Sequence, residues 1–257
     1  MGNSVSRYDR HTLLNVIGES GQSRIESARV LVTGQGALGS LISILLARAG
    51  VGFIRIVDRD FPEIHNLHRQ ILYDECDVAN GLSKVEAGQR HLARSASNIR
   101  IEAIDAEIGP HNIDALIDSI DVVVDAVDNT TTRYVVNDSI LSRGIPYVFG
   151  GAVETAGNVM TIIPGMTPCL RCLWPDPCEV SGHQKASTVG VLSSIATLVA
   201  SIQVTETIKL LVGDFANLIP GLLTIDVWRN HYQVVHLSRG PECICARIRK
   251  SNFVTSE

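Results

Sequence analysis

The chain has 257 residues, 45% hydrophobic and 19% charged, enough for one large α/β domain with appended elements. A formal net charge of −5 argues against sequence-independent attraction to nucleic acid or anionic lipid, so neither is expected as a partner. The first residues lack an apolar stretch, which argues against a secretory signal and for a cytoplasmic protein.

In chain order, residues 1–6 fit the short, weakly specific Met-Gly-x-x-x-Ser myristoylation pattern, and the segment to residue 27 is expected to be helical. Residues 28–33 form a β-prone run that ends in Gly34-Gln35-Gly36-Ala37-Leu38-Gly39, and residues 40–49 read as a helix. A second strand over 53–57 ends at Asp58, which completes a βαβ unit. Further strands are expected at 99–104, 121–125 and 146–150, with helices at 84–96, 113–119 and 131–143 between them. Strands alternating with helices predict a parallel sheet covered on both faces. After Gly151 the pattern changes to a strand at 158–163, a Pro-rich, Cys-bearing loop to about 188, and a long helix over about 189–211. An antiparallel pair at 222–227 and 233–237 closes the ordered part. The apolar run 189–204 is interrupted by Ser193, Ser194, Thr197, Ser201 and Gln203, so it reads as a buried helix and not as a membrane span.

The Gly34, Gly36, Gly39 turn lets backbone N–H groups and a helix N-terminus approach a phosphate, and Asp58 is placed to accept from ribose hydroxyls. That points to a nucleotide without separating NAD from ATP. The stretch Asn66-Leu67-His68-Arg69-Gln70, followed by Lys84 at a helix start, makes the separation. A triphosphate under attack builds charge that calls for extra cations, whereas a pyrophosphate rests largely on the glycine loop. Arg69 and Lys84 are the candidate cations, with plain solvated surface charge as the alternative for each. Asp128, after the strand that ends at Asp125, suits Mg²⁺ as a hard oxygen ligand; Asp128 or Asn129 as a helix cap is the competing reading.

No Ser/His/Asp or Cys/His arrangement is evident, and a carboxylate attacking an α-phosphate needs no general base because it is already ionised. Six cysteines occur, and the pairs Cys169/Cys172 and Cys243/Cys245 suit a closed tetrahedral zinc site of structural role. A redox pair or four independent core thiols remain the alternatives.

In this order these segments resemble the ThiF/MoeB/HesA family, related to ubiquitin-activating enzymes. Arg7-Tyr8-Asp9-Arg10 and Gly21-Gln22 precede the glycine turn. Ser83-Lys84-Val85-Glu86 and Asp125-x-x-Asp128-Asn129 with Arg133 follow it. Pro168-Cys169-Leu170-Arg171-Cys172-Leu173-Trp174-Pro175 and Glu206-Thr207-Ile208-Lys209 extend the match into the last third.

The resemblance implies a Rossmann-like α/β fold, mostly parallel with C-terminal antiparallel strands and a structural zinc site, forming one domain over residues 1–257. It divides into an N-terminal helical segment (1–27), a nucleotide-binding core (28–151), a carrier-binding and zinc-bearing part (152–245) and a tail (246–257). It implies an ATP·Mg²⁺-dependent adenylyltransferase, a homodimer, acting on a ubiquitin-like sulfur carrier that ends in Gly-Gly. Asp58 would hold the ribose, Asn66, Arg69 and Lys84 the phosphates, and Asp128 the Mg²⁺. Asp60, Gln70 and Asn129 would complete the nucleotide site, and Arg10 would reach the partner subunit's nucleotide. Relatives place a cysteine four residues before the Gly-Val that opens the long helix. Here that place is Ala186; Cys178 in the same loop is the candidate substitute for a covalent role, with a plain loop cysteine as the competing reading. The second pair is C-x-C where the family has C-x-x-C. Adenylation of a peptide or other carboxylate, and a non-catalytic carrier-binding subunit, are the competing functions.

Overall fold

The computed structural model describes residues 7–175 and 186–248. Cys178, the myristoylation pattern and the last residues of the tail lie outside the described residues. Two helices, α1 (Asp9–Thr12) and α2 (Gly18–Ser27), precede β1 (Arg29–Thr33), α3 (Ala37–Ala49) and β2 (Phe53–Asp58). Next come α4 (Glu75–Ala79), α5 (Lys84–Ser95), β3 (Arg100–Asp105), α6 (Ile113–Leu116), β4 (Val122–Asp125) and α7 (Thr130–Arg143). The remainder comprises β5 (Tyr147–Val153), β6 (Ala156–Ile162), α8 (Leu170–Leu173), α9 (Ala186–Val189), α10 (Ser193–Val212), β7 (Leu222–Asp226) and β8 (His231–Val235).

All eight strands join one sheet in the order β3-β2-β1-β4-β5-β6-β7-β8. The first five pair parallel, and β6, β7 and β8 add antiparallel. Because side chains alternate across a strand, Val30, Val32, Ile54, Ile56, Val122 and Val124 pack on one face, with residues of α3, α5 and α10. Leu31, Phe53, Val57, Val123, Tyr147 and Phe149 pack on the other, with residues of α6 and α7. The expected two-faced α/β architecture is therefore present. The strand order runs outward from β1 to β3, then returns to β4 beside β1. That reversal opens a crevice at the carboxyl ends of β1 and β4, where open α/β sheets bind ligands.

Beyond shifts of one to three residues at most element ends, the helices depart furthest from the sequence expectation. The long helix begins at Ser193 and not near 189, because Gly190 adopts φ +88° and residues 190–192 pair with Glu154. The Glu154 N–H donates to Gly190 O at 2.9 Å, and the Leu192 N–H donates to Glu154 O at 2.8 Å. The expected helix at 113–119 stops at Leu116, and α4, with its Asp74/Asp77 capping box, was not expected.

By length and composition alone α10 is apolar enough to cross a membrane, but here it packs on α3, β5 and β6. Its Glu206 is 1% exposed and accepts from the Thr161 hydroxyl (2.8 Å), the Ile219 N–H (2.9 Å) and Lys209 Nζ (2.6 Å). Glu206→Ala leaves the Thr161 hydroxyl and the Ile219 N–H without an acceptor, while Lys209 Nζ keeps Asn217 O at 2.8 Å, so a loss of about 2–4 kcal/mol in unfolding free energy is expected. Urea denaturation checks this.

Candidate functional site

The glycine turn lies on the β1 side of the crevice. A Cβ on Gly39 would sit 2.0 Å from Gly34 O, and one on Gly34, whose φ is +94°, would sit 2.7 Å from Ala126 O at the end of β4. Those two glycines are required by the chain's own packing. Gly36 is different: a Cβ there meets nothing nearer than Gln70 Nε2 at 4.0 Å. The space beside Gly36 at the N-terminus of α3 is thus open, and backbone N–H groups at such a helix start favour an anion.

Asp58 closes β2 and accepts two backbone hydrogen bonds, from Gln35 N–H at 2.6 Å within the glycine turn and from Asp60 N–H at 2.8 Å. Lys84 is the first residue of α5, whose start is fixed by a Ser83/Glu86 capping box. Its Nζ lies 3.0 Å from Asp60 Oδ2 and 4.0 Å from Asp58 Oδ1, with the side chain 7% exposed. Gln35, Asp58, Asp60 and Lys84 therefore form one continuous set at the rim.

The segment 66–73 is tied to the same rim by a residue that sequence reasoning passed over. Tyr73 is buried, and its hydroxyl donates to Gln35 O at 2.8 Å. Burial, followed by the nearby Asp58 and Asp77 charges, holds that phenol well above its ordinary pKa, so it stays a donor. Its only sequence signal was a tyrosine just beyond Asn66-Leu67-His68-Arg69-Gln70. Asn66 is buried and its Oδ1 accepts from Glu63 N–H at 3.3 Å, while Asn66 O accepts from the N–H groups of Arg69 and Gln70, each at 3.0 Å. Gln70 is 4% exposed, and its Oε1 finds no partner among the described residues. A buried amide oxygen left so is costly unless a ligand serves it. The Arg69 guanidinium turns back on its own turn, donating to His65 O at 3.0 Å and meeting His68 Nε2 at 2.8 Å.

Across the crevice, Asp128 follows β4, is exposed, and takes no hydrogen bond or ion pair among the described residues. Asn129 is the cap of α7, its Oδ1 accepting from Thr132 N–H at 2.8 Å. The two competing readings of this pair are thereby divided: the cap falls to Asn129 and Asp128 stays open. Arg10 stands apart, with its side chain 87% exposed on α1 and, among the described residues, paired with neighbouring Asp9 at 3.4 Å.

The second candidate site lies between α8 and the C-terminal turn. The sulfurs of Cys169, Cys172, Cys243 and Cys245 all lie within 4.8 Å of one another. The Cys169–Cys243 and Cys172–Cys245 Sγ separations are 3.5 and 3.4 Å. A tetrahedron with ~2.3 Å metal–sulfur bonds has edges of about 3.8 Å, so the set has room for one thiophilic ion. The C-x-C spacing does not prevent convergence, because Ile244–Arg247 forms a 3₁₀ turn that presents both cysteines. Burial, then the hydrogen bond with Cys243, pushes the Cys169 thiol up to about 12. Burial works to raise Cys172, but hydrogen bonds from the backbones of Cys169 and Gly240, together with those of Cys245 and Cys243, lower that thiol on balance.

A family model described as the ThiF family matches residues 8–245. The chain is 40% identical over 247 residues to the sulfur carrier protein ThiS adenylyltransferase of Bacillus subtilis, a match covering 96% of this chain and 72% of that one. It is 36% identical over 243 residues to the adenylyltransferase and sulfurtransferase MOCS3 of Culex quinquefasciatus, covering 95% of this chain and 55% of that one, about half the relative's length. Its fold is similar to that of E. coli MccB in a crystal structure with ATP, with a TM-score of 0.80 at 22% identity, covering 95% of this chain and 75% of that one. The described order of strand, glycine turn, rim carboxylates and paired cysteines fits that match along its length, and the chain belongs to the ThiF family.

Proposed function

We propose that this chain uses ATP to adenylate the C-terminal carboxylate of a ubiquitin-like sulfur-carrier protein ending in Gly-Gly, working as a homodimer with Mg²⁺. One observation carries the reading: Gly36 faces open space at the start of α3, with the buried Gln70 Oε1, unpartnered among the described residues, beside it. The rim residues fit the phosphates of a nucleotide, and the relatives named as adenylyltransferases support ATP over NAD. Asp58 keeps lone pairs for ribose hydroxyls beyond its two backbone bonds. Asn66, Gln70, Arg69 and Lys84 border the phosphates, with Asp60 holding Lys84 at the rim.

Asp128 would hold the Mg²⁺, which supplies charge neutralisation at the phosphates when bound. The carrier's carboxylate is ionised at neutral pH, so it attacks the α-phosphate without a base while pyrophosphate leaves, and the protein's work is alignment and charge balance. In this reading Asn129 acts indirectly, capping α7 behind Asp128, and Arg10 acts on the partner subunit's nucleotide. The four cysteines suit zinc by donor type and spacing; when bound it would tie α8 to the C-terminal turn.

The test of the function is ATP–pyrophosphate exchange with candidate carriers. Exchange that depends on one carrier supports the reading; exchange with a peptide in its place, or with neither, favours the competing functions. Gly36→Ala gives a second check. With open space for its Cβ, unfolding free energy should change by under about 1 kcal/mol, while ATP affinity falls roughly tenfold or more as the methyl meets phosphate. Denaturation and calorimetry read the two.

A further inference from the structure

The loop that carries Asp128 is clamped from behind by a single guanidinium. Arg133, on α7, donates from Nε to Asp125 Oδ2 at 2.9 Å, and from Nη2 to Val127 O at 2.8 Å and Gly150 O at 3.0 Å. Its guanidinium lies 5.0 Å from the centre of the Phe149 ring. Asp125 is fully buried, and its other carboxylate oxygen accepts from Val127 N–H at 3.3 Å. The main chain is held as well: Gln203 Nε2 on α10 donates to Asp125 O at 2.8 Å and Val148 O at 3.1 Å, and Ala126 N–H donates to Thr33 O at 2.9 Å. Residues 125–127 are thus fixed from β1, β5, α7 and α10, and the next residue is the exposed Asp128, which has no partner among the described residues.

We propose that Arg133 is a positioning residue for the metal carboxylate of Asp128, its planar fork joining the end of β4 to Gly150 within β5 so that residue 128 leaves the sheet at one fixed place. This rests on the proposed role of Asp128. Arg133 acts through the chain itself, its guanidinium engaged with Asp125, Val127 and Gly150, and Asp125 is fully buried behind the loop. A lysine can pair with Asp125 as a point charge, but it cannot serve the carboxylate and both carbonyls together.

The test uses Mn²⁺ as a stand-in for Mg²⁺, with protein-bound Mn²⁺ read by electron paramagnetic resonance on the full chain with ATP, over and above the uptake by the same ATP without protein. Arg133→Lys is expected to weaken Mn²⁺ uptake by about tenfold, while metal-free ATP affinity moves by less than about twofold. A general loosening of the fold would lower both together, so an equal loss overturns the proposal, as does Mn²⁺ uptake equal to wild type. Should the lysine variant not fold, Gln203→Met, which frees the Asp125 carbonyl from the same clamp, is read the same way and judged by the same split. Wild-type protein that takes up no Mn²⁺ with ATP instead overturns the functional reading, and the positioning role with it.

Discussion

Asp128→Ala is expected to abolish carrier-dependent ATP–pyrophosphate exchange, a fall of at least about a hundred- to a thousandfold, with the melting temperature unchanged. The two halves of that expectation come from one fact. Asp128 is exposed and makes no hydrogen bond or ion pair among the described residues, so its loss removes nothing from the fold. A carboxylate free among the described residues, at the crevice that Gly36 borders, is available to a divalent cation, and in the proposed reaction charge developing at the phosphates is where such a cation acts most strongly. Exchange measured over a range of Mg²⁺ concentrations checks the result. Full activity in the alanine variant would remove the metal role, and activity lost together with stability would make Asp128 a structural residue.

Stripping the cysteine cluster is expected to give the largest change in stability. A bound structural zinc contributes on the order of 10 kcal/mol, so chelation, or Cys172→Ser, should lower the melting temperature by at least about 10 °C. Elemental analysis should find one zinc per chain in the wild type and none in the variant. With burial pushing Cys169 up to about 12, the metal-free thiol is protonated at neutral pH, so loading zinc must displace that proton. Zinc affinity should therefore fall as the pH is lowered, and zinc titration in weak buffer should acidify the solution. A chain that holds no zinc and melts unchanged after chelation would show the four thiols to be ordinary core residues.

The parts of the fold written in local pattern were legible. Strands β1, β2 and β4 read directly from short apolar runs, and the start of α5 from Ser83-Lys84-Val85-Glu86, whose side chains form the box that spacing suggests. The strand, glycine turn and helix were legible in order, but which glycine faces open space was not. Gly34 and Gly39 are occupied by close backbone neighbours and only Gly36 by space, a distinction that needs the approach of Ala126 and Gln70 from elsewhere in the chain.

Tyr73 escaped notice for the same reason. Its hydroxyl meets Gln35 O, 38 positions earlier, and no local periodicity records that bond. The start of α10 was misplaced because apolar periodicity continues through Gly190 to Leu192, while the left-handed glycine and the pairing with Glu154 stop the helix. Arg133 was legible only as a letter of a motif. That it spans Asp125, Val127 and Gly150 follows from β4 and β5 lying side by side.

The most direct test is calorimetry on the purified protein with ATP·Mg²⁺ and, separately, with NAD. One ATP·Mg²⁺ per chain, with no heat from NAD, is the predicted result. Uptake of NAD with indifference to ATP·Mg²⁺ would contradict a triphosphate site at the carboxyl ends of β1 and β4.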